Sequence, residues 1–206
     1  MMKRRSWLAA LLMTTAGAFS LPALAQEEAP DALVKRISAD VLATIKSDAA
    51  IQAGDVNRII TLVDTKIMPN VNFTRMTSSA VGRYWRQATP EQQKQLQDEF
   101  KTLLVRTYSG ALGEVKDQTL SFKPTRMKAG DTEVVVRSEV KGKGEPIQLD
   151  YRLEKSGDSW KIYDLNVLGV WLVETYRTQF AQEINAKGID GLSATLSERN
   201  KSNNRK

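Results

Sequence analysis

The chain has 206 residues, with 30 Lys and Arg against 24 Asp and Glu, and it contains neither Cys nor His. Without those two residue types it has no disulfide, no thiol nucleophile, no Cys or His metal cluster and no Ser-His-Asp triad. Three of the basic residues lie close to the N-terminus and four lie in the last nine positions. Residues 26–197 therefore contain 23 basic and 23 acidic residues. They lack the excess of positive charge that is typical of nucleic-acid-binding domains.

The first 25 residues have the three-part pattern of a secretory signal peptide. Basic residues at positions 3–5 precede an apolar run over 7–19, and small residues occupy the A-x-A positions that end at Ala25. We expect cleavage after Ala25 and a periplasmic mature protein, because a bacterial-type exported chain without Cys suits the periplasm. An uncleaved membrane anchor is the alternative, but Pro22 breaks the apolar run before it reaches the ~20 residues that a span needs.

Residues 26–197 are long enough to form a single folded domain with its own hydrophobic core. Neither a linker nor an internal repeat divides this part of the sequence. The last nine residues, ERNKSNNRK, are polar and basic, and we expect residues 198–206 to form a disordered tail.

Four helices are predicted in the first half of the domain from apolar residues that recur every three or four positions. The first follows Pro30, the second begins at the N-cap Asp55 and ends before Pro69, and a third, shorter helix lies within 73–84. The fourth begins with the sequence TPEQ at 89–92, in which Thr and Gln form a capping box around a Pro at the first helical position.

The period of the pattern changes to two in the second half of the domain. Apolar and polar residues alternate in TLSFKP, TEVVVRSEV, PIQLDYRLEK and WKIYDLNV, and turn sequences such as KGKGEP and KSGDS separate the later segments. One face of these strands is too highly charged to be buried, which predicts helices on the other face only. The predicted fold class is therefore α+β, a curved antiparallel sheet of about four strands with helices packed on one face.

The segment LGVWLVETYRTQF at 168–180 passes from the last strand into a further helix. The residues at four-residue spacing that form its apolar stripe are Leu172, Tyr176, Phe180 and Ile184. A turn in KGIDGL, with Gly188 as the C-cap, leads to a last short helix. The apolar residues over 167–173 exceed what that stripe needs, and we interpret them as a candidate wall or gate of an apolar pocket.

Several aromatic side chains have two interpretations. Tyr and Trp carry a polar group that needs a partner when it is buried, so a cluster of them beside an apolar sheet face indicates a lined cavity, although each one alone fits an ordinary core. The residues concerned are Tyr84, Trp85, Tyr108, Tyr151, Trp160, Trp171 and Tyr176. Arg83, Arg86 and Arg177 either meet an anionic head group at the mouth of such a cavity or are ordinary surface arginines.

The sequence contains no recognisable catalytic or nucleotide-binding motif. A hydrolase that uses a pair of carboxylates is compatible with the 23 acidic residues outside the tail, but these lie on predicted helix exteriors and on solvated strand positions. We therefore predict that the protein is not an enzyme and that it binds neither a metal nor a cofactor.

Three blocks of sequence, in the same order, are similar to one protein family: GRYWRQATPEQQKQLQDEFKTLLVRTYSGAL at 82–112, YRTQF at 176–180 and KGIDGL at 187–192. They resemble the periplasmic phospholipid-binding component of the Mla (maintenance of lipid asymmetry) system, also known as the toluene-tolerance family. The resemblance covers nearly the whole mature chain. Trp171 departs from it at a position where smaller residues are common, which affects the shape of any pocket there.

The resemblance implies a soluble shuttle, expected to be a monomer, that carries phospholipid between the outer membrane and an inner-membrane ABC transporter. The expected partners are an outer-membrane lipoprotein complex and a hexameric ring of an MCE-domain protein at the inner membrane. It also implies that acyl chains lie in an apolar pocket enclosed between the sheet and the helices. Burying a chain of about 16 carbons contributes on the order of 12 kcal/mol, so we expect a partner to open the pocket or accept the tails directly.

The inward-facing strand positions, the fourth helix and the 167–173 segment supply most of the predicted pocket lining. The predicted lining residues are Tyr84, Leu104, Tyr108, Val134, Val136, Leu149, Tyr151, Val167, Val170, Trp171 and Val173, and the predicted head-group contacts are Arg83 and Arg177. The alternative hypothesis is a periplasmic adaptor that binds other proteins, has a filled core and holds no lipid.

Overall fold

The computed structural model describes residues 28–115 and 117–202. The predicted signal peptide, its cleavage site after Ala25 and residues 203–206 lie outside the described residues. No helix within the described ranges is both long enough and apolar enough to cross a membrane.

The first half of the described chain is helical, as the sequence predicts. The helices are α1 (Pro30–Ser47), α2 (Ala49–Gln52), α3 (Val56–Leu62), α4 (Phe73–Val81) and α5 (Pro90–Gly113). A π-helical turn (Val63–Ile67) and a 3₁₀ turn (Met68–Asn70) follow α3, and a 3₁₀ segment (Gly82–Gln87) follows α4. The α-helical pattern of α3 is thus lost before Pro69, whose ring does not fit in a helix interior.

Side-chain caps begin these helices where the sequence predicts them. The carboxylate of Asp55 accepts hydrogen bonds from two backbone N–H groups of α3, and Thr89 and Gln92 form the reciprocal capping box of α5. The short helix α2, capped by Asp48, is absent from the sequence prediction. Its four residues are too few to show a helical period.

The second half of the chain forms one antiparallel sheet in which consecutive strands are neighbours. The strands are β1 (Thr119–Phe122), β2 (Glu133–Lys141), β3 (Ile147–Ser156), β4 (Ser159–Val167) and β5 (Val170–Trp171). The α+β fold class is confirmed, with five strands in place of the predicted four. The sequence pattern misses β5 because a strand of two residues has no period of its own.

A long helical element, α6 (Leu172–Ser202), completes the fold. It is interrupted at Gly188, whose φ of 73° and ψ of −178° are accessible mainly to glycine. The second part of α6 continues as far as Ser202, so residues 198–202, predicted to belong to a disordered tail, are helical. Asn200 explains the difference, because it is buried there and donates a hydrogen bond to the carboxylate of Glu99 on α5 at 2.7 Å.

Helices cover one face of the sheet, which we name the inner face. Along β2, Val134, Val136 and Ser138 point to the inner face and are buried, whereas Glu133 and Arg137 point to the outer face and are exposed. The strand alternation therefore produces the predicted arrangement of one covered face and one solvated face.

Buried apolar residues form three clusters. The helical cluster joins α4, α5 and α6 around Phe100, whose ring centroid lies 4.9 Å from that of Tyr176 and 5.1 Å from that of Phe180. The sheet cluster packs α1 against the inner face, and a third cluster joins the end of α1 to α2, α3 and α5. We name α4, α5, α6 and the 3₁₀ segment after α4 the helical layer. Leu165 and Val71 pack against both the helical and the sheet cluster, so they mark where the helical layer meets the sheet.

Candidate functional site

The inner face of the sheet has two halves that are covered unequally. The residues of the covered half, which lie under α1 and are buried, are Val134, Val136, Tyr151, Leu153, Trp160 and Ile162. They come from the beginning of β2, the end of β3 and the beginning of β4, which antiparallel pairing brings to one end of the sheet. The opposite end of the same face is only partly covered.

Cross-strand pairing places the partly covered residues side by side. Val140 pairs with Ile147, Leu149 pairs with Val167, and Val167 pairs in turn with Val170. Ile147 and Val170 are 43% and 52% exposed, and the other three are half-buried. Adjoining apolar side chains that remain open to water are typical of a surface that binds an apolar group.

Helix α5 supplies apolar residues on the other side of this opening. Leu104 and Tyr108, one helical turn apart, are half-buried and pack against the helical cluster, as do Leu165 and Val167 of β4. We name the half-buried residues Leu104, Tyr108, Leu149, Leu165 and Val167 the apolar seam. Burial raises the pKa of the Tyr108 hydroxyl above its ordinary value, so this group is neutral at physiological pH and remains a hydrogen-bond donor.

A tight hairpin lies at the exposed end of the apolar seam. Because Val167 pairs with Val170, only Leu168 and Gly169 connect β4 to β5, and their φ values are 54° and 87°. Positive φ at both residues of a two-residue connection is typical of a type I′ turn. The side-chain oxygen of Asn166 accepts a hydrogen bond from the Gly169 N–H at 2.9 Å and so holds the turn in place.

A buried carboxylate anchors the helix that follows the hairpin. Asp164 is 1% exposed, and its Oδ1 accepts hydrogen bonds from the N–H of Val173 at 3.0 Å and of Leu165 at 2.9 Å. The guanidinium of Arg152 donates to Oδ2 at 3.0 Å. Burial raises the pKa of Asp164, and these hydrogen bonds and the positive charge of Arg152 oppose the rise. No local spacing in the sequence indicates this role, because the hairpin separates Asp164 from the helix that it anchors.

The structure brings part of the predicted pocket lining together. The predicted residues that lie in the apolar seam or at its exposed end are Leu104, Tyr108, Leu149, Val167 and Val170. The predicted residues that are buried in the sheet cluster or the helical cluster are Val134, Val136, Tyr151 and Val173. Leu165 belongs to the apolar seam but is absent from the prediction.

Two further predicted lining residues lie away from the apolar seam. Trp171 pairs with Asn166, so it lies on the outer side of the sheet, where the guanidinium carbon of Arg152 is 3.8 Å from its ring centroid. Tyr84 lies in the helical layer, packs against the helical cluster and donates a hydrogen bond to Asn185 of α6. The structure therefore does not group Trp171 or Tyr84 with the other predicted residues.

The predicted head-group contacts also lie in the helical layer. A guanidinium nitrogen of Arg83 donates to the hydroxyl of Tyr84 at 2.7 Å, and Nε of Arg177 donates to the carbonyl of Ser79 at 2.8 Å. Both arginines are exposed and bond within the layer that carries them. Their role in binding a head group stays a prediction.

Two cavities of the described structure lie outside the apolar seam. A groove of about 470 Å³ lies on the outer face of the sheet, and a smaller cavity of about 120 Å³ lies between the residues after α5 and the β2–β3 turn. The residues of the apolar seam pack instead against the adjoining clusters.

The part of the chain that the structure describes has no group of side chains suited to binding a metal ion. Within residues 28–115 and 117–202, no three His, Cys, Asp or Glu side chains are grouped so that they could hold a metal ion. The polar groups near the apolar seam, such as Asp164 and Asn166, are engaged in holding the hairpin and the start of α6.

Residues 35–198 match the family model described as MlaC protein. The toluene tolerance protein ttg2D of Pseudomonas putida is 26% identical over 180 residues, which cover 87% of this chain and 83% of that protein. The intermembrane phospholipid transport system binding protein MlaC of Haemophilus influenzae is 23% identical over 176 residues, which cover 84% of this chain and 82% of that protein.

A solved structure is also similar to this chain. It is the phospholipid-binding protein from Ralstonia solanacearum in complex with a phospholipid, with 53% sequence identity and a TM-score of 0.82. The match covers 84% of this chain and 97% of the Ralstonia protein. The similarity therefore includes both the helical layer and the sheet.

Proposed function

The chain belongs to the MlaC protein family, and from that membership we propose that it is a periplasmic carrier that holds the acyl chains of a phospholipid at the apolar seam. It carries lipid between the outer membrane and an inner-membrane ABC transporter. Its partners are an outer-membrane lipoprotein complex and an MCE-domain ring of the transporter. The similarity to a protein solved with bound phospholipid supports the proposed ligand.

The observation that carries the proposal is the partly covered half of the inner face. From Ile147 to Leu153, β3 spans roughly 20 Å at about 3.3 Å per residue, which exceeds the ~15 Å of hydrocarbon in one leaflet. The inward residues along this length are apolar or aromatic, and only those at the Ile147 end are open to water. An acyl chain that enters at the open end meets a continuous apolar surface.

Space for the acyl chain comes from the separation of two packed parts of the domain, which we call bodies. One body is the sheet with α1, and the other is the helical layer of α4, α5 and α6. Leu165 and Val71 pack against both clusters, so the boundary between the bodies passes through the apolar seam. Separation at this boundary exposes apolar residues of both bodies to the ligand and leaves the helical cluster and the sheet cluster intact, while the third cluster still connects the end of α1 to α5.

Release of cargo then depends on a partner. About 0.8 kcal/mol per methylene opposes transfer of an acyl chain to water, so unassisted loss of a whole phospholipid is extremely slow. A partner that offers an apolar path at the exposed end, beside Ile147 and Val170, removes that barrier. The proposal therefore predicts exchange of lipid on contact with a partner and retention of lipid in buffer.

Native mass spectrometry of protein purified without detergent tests the proposal. We expect a bound mass of phospholipid size on the wild-type chain. Val170→Glu places a carboxylate at the exposed end of the apolar seam, where Val170 is 52% exposed, and should greatly reduce the bound mass without changing the melting temperature. Met127→Glu is the matched control, because Met127 is 49% exposed and has no part in the apolar seam.

A bare chain mass for the wild type would support the adaptor hypothesis instead. Equal lipid occupancy in Val170→Glu and Met127→Glu would remove the exposed end of the apolar seam from the site. The same spectra give the mass of the mature chain, and a start at Gln26 is expected if cleavage follows Ala25.

A further inference from the structure

We propose that the outer face of the sheet carries a second binding site, which takes an acidic segment of a partner protein through Arg126 and Arg137. The site is the groove of about 470 Å³, whose lining residues are Arg126, Glu133, Val134, Val135, Arg137, Arg152 and Tyr163. The apolar seam lies on the opposite side of the sheet. A partner in the groove therefore leaves the path of the acyl chains free.

Two of the charged groups in the groove are already compensated. The guanidinium of Arg152 donates to the buried carboxylate of Asp164 at 3.0 Å. Glu133 forms an ion pair with Arg75 and accepts a hydrogen bond from the hydroxyl of Tyr163 at 3.1 Å. These contacts neutralise one positive and one negative side chain of the groove from within the domain.

The other two arginines of the groove are not compensated. Within residues 28–115 and 117–202, the side chains of Arg126 and Arg137 make neither an ion pair nor a hydrogen bond. Asp150 pairs with Arg137 across the strands, but its carboxylate accepts hydrogen bonds from the N–H of Ser138 at 3.2 Å and from the amide of Gln148 at 2.6 Å. The groove thus presents two free guanidinium groups, each able to bind a carboxylate in a bidentate manner.

The surroundings favour a protein segment over a lipid surface. Val135 lines the groove beside the charged residues and gives an extended peptide an apolar side chain to pack against. The formally neutral residues 26–197 supply no broad positive field that would attract this face to an anionic membrane. Two separate guanidinium groups can each bind one carboxylate of an extended acidic segment, in which alternate side chains point to the same side.

Fluorescence anisotropy with a short labelled peptide in which Glu alternates with Ser tests the site. We expect the wild-type protein to bind this peptide in a salt-dependent manner and not to bind the version with Gln in place of Glu. The double variant Arg126→Gln, Arg137→Gln should lose affinity by about tenfold or more. Arg86→Gln is the matched control, since Arg86 is also exposed but lies in the 3₁₀ segment that follows α4, and it should bind like the wild type.

Equal affinity of the double variant and the wild type, or no binding of the acidic peptide, would overturn the proposal. So would complete displacement of the peptide by inorganic phosphate at low millimolar concentration, which indicates a site for small anions. Binding to phosphatidylglycerol vesicles that depends on the two arginines, without peptide binding, would assign the groove to a membrane. Native mass spectra of the double variant should show the lipid occupancy of the wild type, so this test is independent of the lipid-carrier function.

Discussion

Leu168 holds a backbone conformation that is unfavourable for its side chain. Its φ of 54° lies in the left-handed region, and its side chain is 67% exposed, so burial of the side chain does little to offset the cost of this conformation. The left-handed conformation costs a non-glycine residue roughly 1–2 kcal/mol, and Asn before Gly is the preferred sequence of a type I′ turn. A strained apolar residue at the exposed end of the apolar seam is compatible with a contact made during lipid exchange.

Leu168→Asn is therefore expected to stabilise the protein. The variant creates the Asn-Gly sequence at the turn, and a gain of about 1 kcal/mol corresponds to a rise of about 2–4 °C in melting temperature for a chain of this size. Leu168→Ala is the control, because it removes the apolar surface and keeps the strain. A lower melting temperature for Leu168→Asn, or an equal gain for Leu168→Ala, would show that the turn is not strained.

Trp171 shows why single residues of the site are difficult to predict from sequence. Val170 and Trp171 are adjacent in a strand, so they point to opposite faces, and the sequence prediction assigned both to the pocket. The two-residue hairpin decides that Val170 joins Val167 on the inner face and that Trp171 lies on the outer side. The alternation of apolar and polar residues cannot predict which of the two faces inward, because that depends on the number of residues in the turn.

Arg75 connects helix α4 to the sheet. Its guanidinium forms ion pairs with Glu133 of β2 and Glu154 of β3, and it lies 3.6 Å from the ring centroid of Tyr163. The hydrogen bond from Arg75 is the main reason that the pKa of Glu133 lies below its ordinary value of 4.5. Since the folded-state pKa is lowered, this pair stabilises the fold above that pH, and the contribution is lost as the pH falls through the lowered pKa.

Arg75→Gln is expected to lower the melting temperature in a pH-dependent way. It removes the pair with Glu133, whose side chain is 53% exposed and screened by water, and the pair with Glu154, whose side chain is 18% exposed. We therefore expect a loss of about 1–2 kcal/mol at neutral pH, or about 2–8 °C. The difference from the wild type should narrow as the pH falls below 4.5, because Glu133 becomes protonated. Lys94→Gln is the control, since Lys94 and Asp98 are 77% and 61% exposed and their pair contributes little. A difference that is the same at every pH would contradict the ion-pair account.

The kink of α6 depends on glycine at position 188. Gly188→Ala forces a Cβ atom into the conformation with φ of 73° and ψ of −178°, which costs roughly 1–3 kcal/mol. Gly110→Ala is the matched control, because it lies inside α5 and its added Cβ has no neighbour within 4 Å, so we expect a gain of about 0.5–1 kcal/mol. Chemical denaturation measures both, and an unchanged stability of Gly188→Ala would show that α6 tolerates another geometry there.

Helices and strands whose boundaries depend on neighbouring residues could be predicted from the sequence. Those that depend on residues distant in the sequence could not. The starts of α3 and α5 follow from the caps Asp55 and Thr89, whose partners lie within the next turn. The end of α6 has no such signal, because Asn200 is held by Glu99, a residue distant in sequence. The strand β5 is likewise set by its partner β4 and not by a pattern of its own.

At the scale of the whole molecule, the sheet packed under α1 meets the helical layer along a partly covered apolar boundary, and a third cluster also joins α1 to α5. The sequence predicts that Val136 and Leu149 point to the same face, but it cannot predict that α1 buries Val136 and leaves Leu149 half-covered. Which apolar residues fill the core and which remain for a ligand depends on the position of one helix across the sheet. The candidate site could therefore be predicted as a face of the sheet but not as particular residues of it.

The central claim is that acyl chains lie between the sheet and the helical layer. Photo-crosslinking tests it directly: the protein is loaded with a phospholipid that carries a diazirine in its acyl chain, illuminated, digested and mapped by peptide mass spectrometry. We predict adducts on both sides of the boundary, on α5 at Leu104 and Tyr108 and on the inner face at Leu149 and Val167. Adducts confined to the outer face of the sheet, or adducts on only one of the two bodies, would contradict the account.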